Sequence, residues 1–363
     1  MSENIKKILE TIKSTEGDKF EYNEEAISKD LSLVRNTSIT IKILTFLGSA
    51  LASLTVIIVL FLSEIVRGEE SLLIVGTIFV VISLFINRKS ESNVHETFSM
   101  TGYISGVILV GAGITGMRGN ENVMISTFFI LSIISLSITQ NYIISFLNAL
   151  MFLVSLIYFI IINEVHDLVH LFVSINVFSL LYIIKFEAKV ININKFTSKL
   201  YDPIRIALII SLVFALTILA NGDNFKISPK YIYLSSFSLG IAIAYMISMV
   251  FDILKIKSAS HKNIIYFMSS LILLSIVFAP SILGAIFIIL MSFYVNYKTG
   301  LILGIVSLIY FISRYYYYMD ITLLMKSVIL IASGVLFITF YAVLSRALSK
   351  ELSSVTIKDK ETI

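Results

Sequence analysis

The chain has 363 residues, of which 57% are hydrophobic and 14% are charged, with a formal net charge of +4. Soluble domains average roughly 45–50% apolar and 25% charged residues, so a water-soluble globule of this length is excluded. Without cysteine there can be no disulfide or thiolate metal site, and no catalytic or nucleotide-binding motif stands out. The sequence predicts a non-enzymatic integral membrane protein whose first partner is the lipid bilayer. It implies no cofactor and no nucleic-acid partner.

Residues 1–38 are predicted to form a small cytoplasmic segment with helical parts. Four isoleucine and leucine residues from Ile5 to Ile12 follow the spacing i, i+3, i+4 and i+7, which is typical of an amphipathic helix. This helix either lies on the inner leaflet or packs against the cytoplasmic loops. A second helix is expected to begin at Asn23, a residue type that is favourable as an N-cap.

Residues 39–345 contain apolar runs of helical length and predict an all-α transmembrane bundle of about twelve spans joined by short loops. Two long runs, 123–162 and 264–295, are interrupted only at Gln140 and Pro280, and each is either a hairpin or one long segment. Residues 346–363 are a predicted cytoplasmic tail. The predicted spans are 40–62, 72–87, 99–117, 123–139, 142–162, 167–184, 204–220, 231–253, 264–279, 281–295, 300–316 and 322–345.

The distribution of basic residues favours two hairpins and places both termini in the cytoplasm. With twelve spans, most of the 28 lysines and arginines fall on the inner side, as the positive-inside rule requires. A single span at 264–295 would instead move the basic residues of the C-terminal tail to the outside. The basic residues left on the outer side are Arg67, Arg118, Lys226, Lys230, Arg314 and Lys326.

Two predicted spans contain glycines four residues apart, Gly102 with Gly106 and Gly300 with Gly304. Small residues at this spacing allow close approach of helix backbones in a membrane, where no hydrophobic gain drives association. The sequence therefore predicts helix packing at these glycines. A hinge or an unwound substrate-binding helix is the alternative interpretation.

Two histidines one turn apart, His166 and His170, lie at the outer start of the sixth predicted span. This spacing is compatible with a metal ion. Because no third ligand is specified, the sequence favours capping and interface roles, and it predicts no metal site.

The outer turn, residues 314–326, joins the last two predicted spans and combines charges with four consecutive tyrosines. Lys326 lies about one turn inside the last span, where the helix dipole disfavours a cation, so it needs a partner or access to water. Either the tyrosines anchor the membrane interface while Lys326 reaches outward, or the turn docks a partner or an anionic headgroup. The candidate docking residues are Arg314, Tyr316, Tyr317, Asp320 and Lys326.

The end of the chain resembles the closing signature of an uncharacterised family of multi-pass bacterial inner-membrane proteins, known only as a domain of unknown function. The start is also similar, although Ser49 and Ala50 stand where the family has an aromatic residue after the first-span glycine, here Gly48. The resemblance implies the bacterial cytoplasmic membrane and two partners, a second multi-pass protein and a small membrane-anchored protein with a GDYXXLXY motif. The matching residues are Tyr316, Tyr317, Asp320, Thr322, Leu323, Leu324, Lys326, Ser327, Leu330 and Gly334.

Three functions are compatible with these features. The first is a non-enzymatic subunit or scaffold of an envelope membrane complex, which short outer loops and the implied partners favour. The second is a transporter or flippase, although coupled transporters commonly carry charged residues within their spans. The third is a glycan polymerase-type transferase, although its large arginine-rich outer loop has no counterpart in the sequence.

Overall fold

A computed structural model of the chain describes residues 39–89, 93–117, 120–139, 141–222, 230–253, 259–275, 277 and 279–318, with parts of 322–342. The described residues are almost entirely α-helical and contain no strand. The predicted terminal segments 1–38 and 346–363 lie outside them. The helices are α1 (Ile39–Leu62), α2 (Glu69–Lys89), α3 (Asn93–Gly116), α4 (Glu121–Ile138), α5 (Tyr142–Ile162), α6 (Leu168–Lys185), α7 (Glu187–Ile191), α8 (Lys195–Ala220), α9 (Ile232–Ile253), α10 (Ala259–Ser275), α11 (Pro280–Tyr294) and α12 (Lys298–Tyr318), and the described parts of 324–342 are also helical.

Nine of the described helices, α1 to α6, α8, α9 and α12, are long and apolar enough to cross a bilayer. The apolar helix α11 has 15 residues and α10 has 17. Large apolar side chains on these helices remain exposed, for example Leu44 at 70%, Phe85 at 65% and Ile302 at 62%. Such surfaces are unfavourable in water but contact acyl chains in a bilayer. The described helices therefore fit a multi-pass integral membrane protein.

The chain divides into two compact units, residues 1–119 and 120–363. In the first unit, α3 packs against both α1 and α2. The Ser99 hydroxyl on α3 donates to the Ser83 carbonyl on α2 at 2.7 Å, and the Ser105 hydroxyl donates to the Ser53 carbonyl on α1 at 3.4 Å. These bonds satisfy polar groups on buried helix faces without water.

In the second unit, α8 occupies the centre and packs against α5, α6, α11 and α12. Its residues Ile209, Leu212 and Ala215 are completely buried. A buried hydrogen bond of 3.0 Å, from the Ser211 hydroxyl to the Asn176 side-chain oxygen, also joins α8 to α6. The core of this unit is therefore held by close side-chain packing and by a polar contact between helices.

The 123–162 run forms two antiparallel helices, as the hairpin interpretation predicts. Helix α4 ends at Ile138, and the Asn141 side chain caps α5 by accepting from the Ile143 and Ile144 backbone N–H groups at 2.8 and 3.1 Å. The far ends of the two helices meet where Asn122 and Asn163 exchange side-chain hydrogen bonds of 3.2 and 2.9 Å. The chain thus reverses direction between α4 and α5.

Helix α10 runs antiparallel to α9. Close to the start of α9, the Ser236 hydroxyl donates to the Val277 carbonyl, which follows α10. At the other end of α9, the Phe251 ring lies 5.2 Å from the Tyr266 ring of α10. The chain therefore returns along α9 before α11 begins at Pro280, so the 264–295 run is also divided into two helices.

Helix α8 begins at Lys195, nine residues before the predicted span 204–220. Its N-terminus has a capping box, in which Asn194 and Thr197 each accept a hydrogen bond from the backbone N–H of the other. The helix continues through Pro203. Arg205, which the predicted topology places at the inner membrane boundary, thus belongs to the interior of a helix.

Candidate functional site

The outer turn brings basic and aromatic side chains together at the end of α12. The Lys326 ammonium lies 5.3 Å from the centre of the Tyr316 ring and donates to the Tyr317 carbonyl at 3.4 Å. The Arg314 guanidinium carbon lies 3.2 Å from the centre of the Tyr318 ring. Tyrosine faces attract cations through the ring quadrupole, so these contacts hold both basic groups at one site.

Four of the five predicted docking residues, Arg314, Tyr316, Tyr317 and Lys326, belong to the described part of the chain. Asp320 lies outside it. Tyr317 is 82% exposed and its neighbour Tyr318 is 54% exposed. The outer turn therefore presents an aromatic, cationic surface.

A cavity of about 180 Å³ lies beside Arg314. It is formed where the end of α8, the starts of α9 and α11, and the last two turns of α12 meet. The polar groups in its wall come from Arg314, Tyr315, Tyr318 and Ser281. The Arg314 cavity is lined by Leu219, Ala220, Ile232, Ala279, Pro280, Ser281, Ile282, Phe311, Arg314, Tyr315 and Tyr318.

Arg314, which lines this cavity, has a hydrogen-bond donor without a partner. Its Nε atom is buried and has no hydrogen-bond partner. Within the described part of the chain, the ion pairs involve Arg67 and Arg205, and none involves Arg314. An arginine remains charged at physiological pH, and its fork of donors matches carboxylate and phosphate groups. The cavity is therefore suited to an anionic group.

A second polar group, the Arg205 cluster, consists of Arg205, Asp202, Glu187, Tyr201 and Tyr297. The Arg205 side chain is only 9% exposed and lies 2.5 Å from an Asp202 oxygen and 3.8 Å from a Glu187 oxygen. Its guanidinium carbon is 4.0 Å from the Tyr297 ring centre and 5.0 Å from that of Tyr201. The cluster therefore connects α7, α8 and the turn between α11 and α12.

Sequence reasoning missed the Arg205 cluster, although Asp202 and Tyr201 lie three and four residues before Arg205, which is the spacing of neighbours on one helix face. Burial raises the pKa of the Tyr297 hydroxyl, while the nearby Arg205 guanidinium acts in the opposite direction. The ring of this neutral phenol packs against the guanidinium. The arginine is held by both acidic and aromatic groups.

The predicted packing glycines all lie in tight surroundings. A Cβ at Gly106 would lie 2.8 Å from the Gly76 carbonyl oxygen, and one at Gly102 would collide with the Ser83 hydroxyl. Between α11 and α12, a Cβ at Gly304 would lie 2.8 Å from Ile289 Cγ1, and one at Gly300 would collide with Ser292. The contacts at Gly106 involve backbone atoms, which cannot be relieved by a change of side-chain rotamer.

Of the two histidines singled out in the sequence, His170 is buried between helices. His170 is 3% exposed, and its Nδ1 lies 2.9 Å from the Ser235 hydroxyl. Nearby, Asp167 accepts a hydrogen bond from the Lys230 backbone N–H at 2.9 Å. In the described ranges, no group of three histidine or acidic residues is placed to hold a metal ion. His170 thus contributes to the contact between α6 and α9.

Comparison with curated proteins and with solved structures finds no match to the chain. A family model described as "Domain of unknown function (DUF4401)" matches residues 39–347. The match includes α1 to α12 and all the residues of the outer turn and of the Arg205 cluster. The chain therefore belongs to the DUF4401 family, a domain of unknown function.

Proposed function

We propose that the chain crosses the bacterial cytoplasmic membrane twelve times, with both termini in the cytoplasm. Two contacts along α9 support a crossing at α10, because they require the chain to travel the length of α9 before α11 begins. The span ends that the predicted topology places at the outer side also meet at the Arg314 cavity, whereas the Arg205 cluster contains only residues predicted at the inner side. The helical residues within 324–342 supply the twelfth crossing.

Thiol labelling tests this topology, because the chain contains no cysteine of its own. Lys230 and Asn192 are exposed residues on opposite predicted sides. We expect Lys230→Cys to react with a membrane-impermeant maleimide in intact spheroplasts and Asn192→Cys to react only after lysis. Reaction of both variants before lysis, or of Asn192→Cys alone, would contradict the topology.

We further propose that the protein is a non-enzymatic subunit of an envelope membrane complex and docks a partner at the outer turn. The observation that carries this proposal is the exposure of Tyr317 beside the Lys326 ammonium. Tyrosine side chains contribute much of the binding energy of many protein interfaces, because they combine a large apolar area with a polar hydroxyl. A transporter has no comparable support in the contacts of the described residues.

The surface favours an acidic, tyrosine-containing segment on the outer side of the membrane. The small membrane-anchored protein that the resemblance implies has these residue types in its GDYXXLXY motif. Its aspartate would pair with Lys326, and its tyrosines would pack on Tyr317. The second multi-pass protein is then a further subunit of the same complex.

Charge reversal at the outer turn tests docking. We expect Lys326→Glu to reduce co-purification of the small anchored protein at least ~10-fold, since interface hot spots contribute about 2 kcal/mol or more. A carboxylate near a helix N-terminus is electrostatically favourable, so membrane insertion should remain normal. Lys298→Glu, at the opposite end of α12, is the matched control and should retain the partner.

The same variant separates the scaffold from the transporter. If Lys326→Glu retained the partner but abolished movement of a solute into or out of reconstituted vesicles, the docking proposal would be wrong. The transporter alternative would then replace it.

A further inference from the structure

We propose that the Arg314 cavity binds the headgroup of an anionic phospholipid. This inference goes beyond partner docking, because the cavity is lined by side chains other than the exposed Tyr317 and Lys326. Both sites lie at the outer turn, but the docking proposal rests on Tyr317 and Lys326 and the cavity rests on Arg314, so each can be altered separately.

The charge of the cavity favours an anion. Arg314 contributes a full positive charge, and none of the described residues in the wall is acidic. The first turn of α11, from Pro280 to Ile282, also lies in the wall, and the start of a helix has a partial positive charge. The arginine is held at the wall by the Tyr318 ring, so little side-chain freedom would be lost on binding.

The size of the cavity favours part of a ligand over a whole solute. Pockets for complete drug-sized molecules measure roughly 300–1,000 Å³. The Arg314 cavity, at about 180 Å³, is smaller than this range. It is large enough for a phosphate with its nearest substituents, and the rest of the ligand must extend outside.

The surroundings of the cavity favour an amphipathic ligand. Ile232 lines the cavity and is 38% exposed, and Tyr315 lines it and is 46% exposed. On the same end of α12, Ile309 and Ile312 are 62% and 47% exposed. A molecule with its anionic end at Arg314 would therefore place its remaining part along an apolar helix surface. A phospholipid has this arrangement of charge and acyl chains.

The absence of tryptophan from the chain allows a local measurement of lipid binding. Tyr315→Trp introduces a single indole at the cavity wall. The protein is reconstituted in vesicles that mix phosphatidylcholine with increasing fractions of phosphatidylglycerol. One of these two lipids carries brominated acyl chains, which quench the fluorescence of the indole. The quenching curve gives the affinity for phosphatidylglycerol relative to phosphatidylcholine. Phe159→Trp, three residues before the end of α5 and 44% exposed, is the control on ordinary lipid-facing surface.

We expect the indole at position 315 to report a preference for phosphatidylglycerol of about 5- to 10-fold, since one basic group near a membrane surface contributes about 1 kcal/mol and a partly buried one more. The indole at position 159 should report a ratio near 1. Adding Arg314→Gln to Tyr315→Trp should return the ratio at the cavity to about 1. Adding Arg67→Gln, which removes an exposed outer arginine paired with Glu64, should leave the preference intact.

If the indole at position 315, in a protein with no other substitution, reported equal affinities for phosphatidylglycerol and phosphatidylcholine, the proposal would be overturned. This measurement does not depend on the folding of any Arg314 variant. A lipid preference that disappears in millimolar inorganic phosphate would show that free phosphate is the favoured occupant of the site, which would contradict the lipid proposal. Loss of the small anchored partner in Arg314→Gln, with no lipid preference at position 315, would assign the arginine to the protein interface. If Arg314→Gln lost the lipid preference but still co-purified with the partner, the docking proposal would be unaffected.

Discussion

Gly106→Leu is expected to abolish most of the folded protein that can be purified in detergent. A Cβ at this position would lie 2.8 Å from the Gly76 carbonyl oxygen and 2.8 Å from the Val80 backbone nitrogen. Both are backbone atoms of α2, so relief requires α2 and α3 to separate along their whole contact. Overpacking of a core costs about 1–3 kcal/mol, and the cost here should reach or exceed the upper value because close approach is what holds membrane helices together.

Gly48→Leu in α1 is the matched control, because a Cβ there would meet no atom within 4 Å. Thermal melting and the yield of monodisperse protein should be unchanged in this variant, or slightly improved by the higher helix propensity of leucine. Equal melting of Gly106→Leu and the unmodified protein would show that α2 and α3 do not approach each other as described.

Arg205→Ala should produce the second large loss of stability. The side chain is 9% exposed and lies between the Tyr201 and Tyr297 rings, so its removal opens a cavity and abolishes two cation–π contacts. We expect a loss of ~2–4 kcal/mol, of which desolvated cation–π contacts supply roughly 2 kcal/mol. The ion pairs add less, because Asp202 is 56% exposed and water replaces the lost partner.

Two further variants identify which interaction of Arg205 causes the loss of stability. Arg205→Lys keeps the charge but loses the planar group that packs on the rings, so it should melt between the alanine variant and the unmodified protein. Arg67→Ala breaks an exposed ion pair with Glu64 and should change the free energy of unfolding by about 0–1 kcal/mol. If Arg205→Ala melted like Arg67→Ala, the cluster would contribute nothing to the packing of α7, α8 and the α11–α12 turn.

The approximate positions of the long described helices followed from the sequence because a bilayer requires long apolar runs with internally satisfied hydrogen bonds. The breaks at Gln140 and Pro280 were recognisable for the same reason, since an asparagine cap or a proline at a helix start interrupts an otherwise continuous run. The start of α8 was not predicted, because hydropathy gives no signal for the polar residues from Lys195 to Arg205. Its capping residues Asn194 and Thr197 would have been a better guide.

The candidate site was only partly predictable. The four tyrosines and Lys326 are close in sequence, so their proximity at the end of α12 could be expected. The Arg314 cavity depends on residues from α8, α9 and α11 that are far apart in the chain, and hydropathy does not specify which helix ends meet. The Arg205 cluster was missed because counting basic residues for topology treats every arginine as solvent-exposed.

The most direct test of docking at the outer turn is crosslinking in intact cells from a photoreactive phenylalanine analogue placed at Tyr317, which is 82% exposed. Ile302, a 62% exposed residue on the same helix, is the lipid-facing control. We predict one discrete adduct from position 317, with the small anchored GDYXXLXY-type protein identified by mass spectrometry, and its loss in Lys326→Glu. Position 302 should yield no such adduct. The same products from both positions, or a position-317 adduct that persists unchanged in Lys326→Glu, would contradict docking at the outer turn.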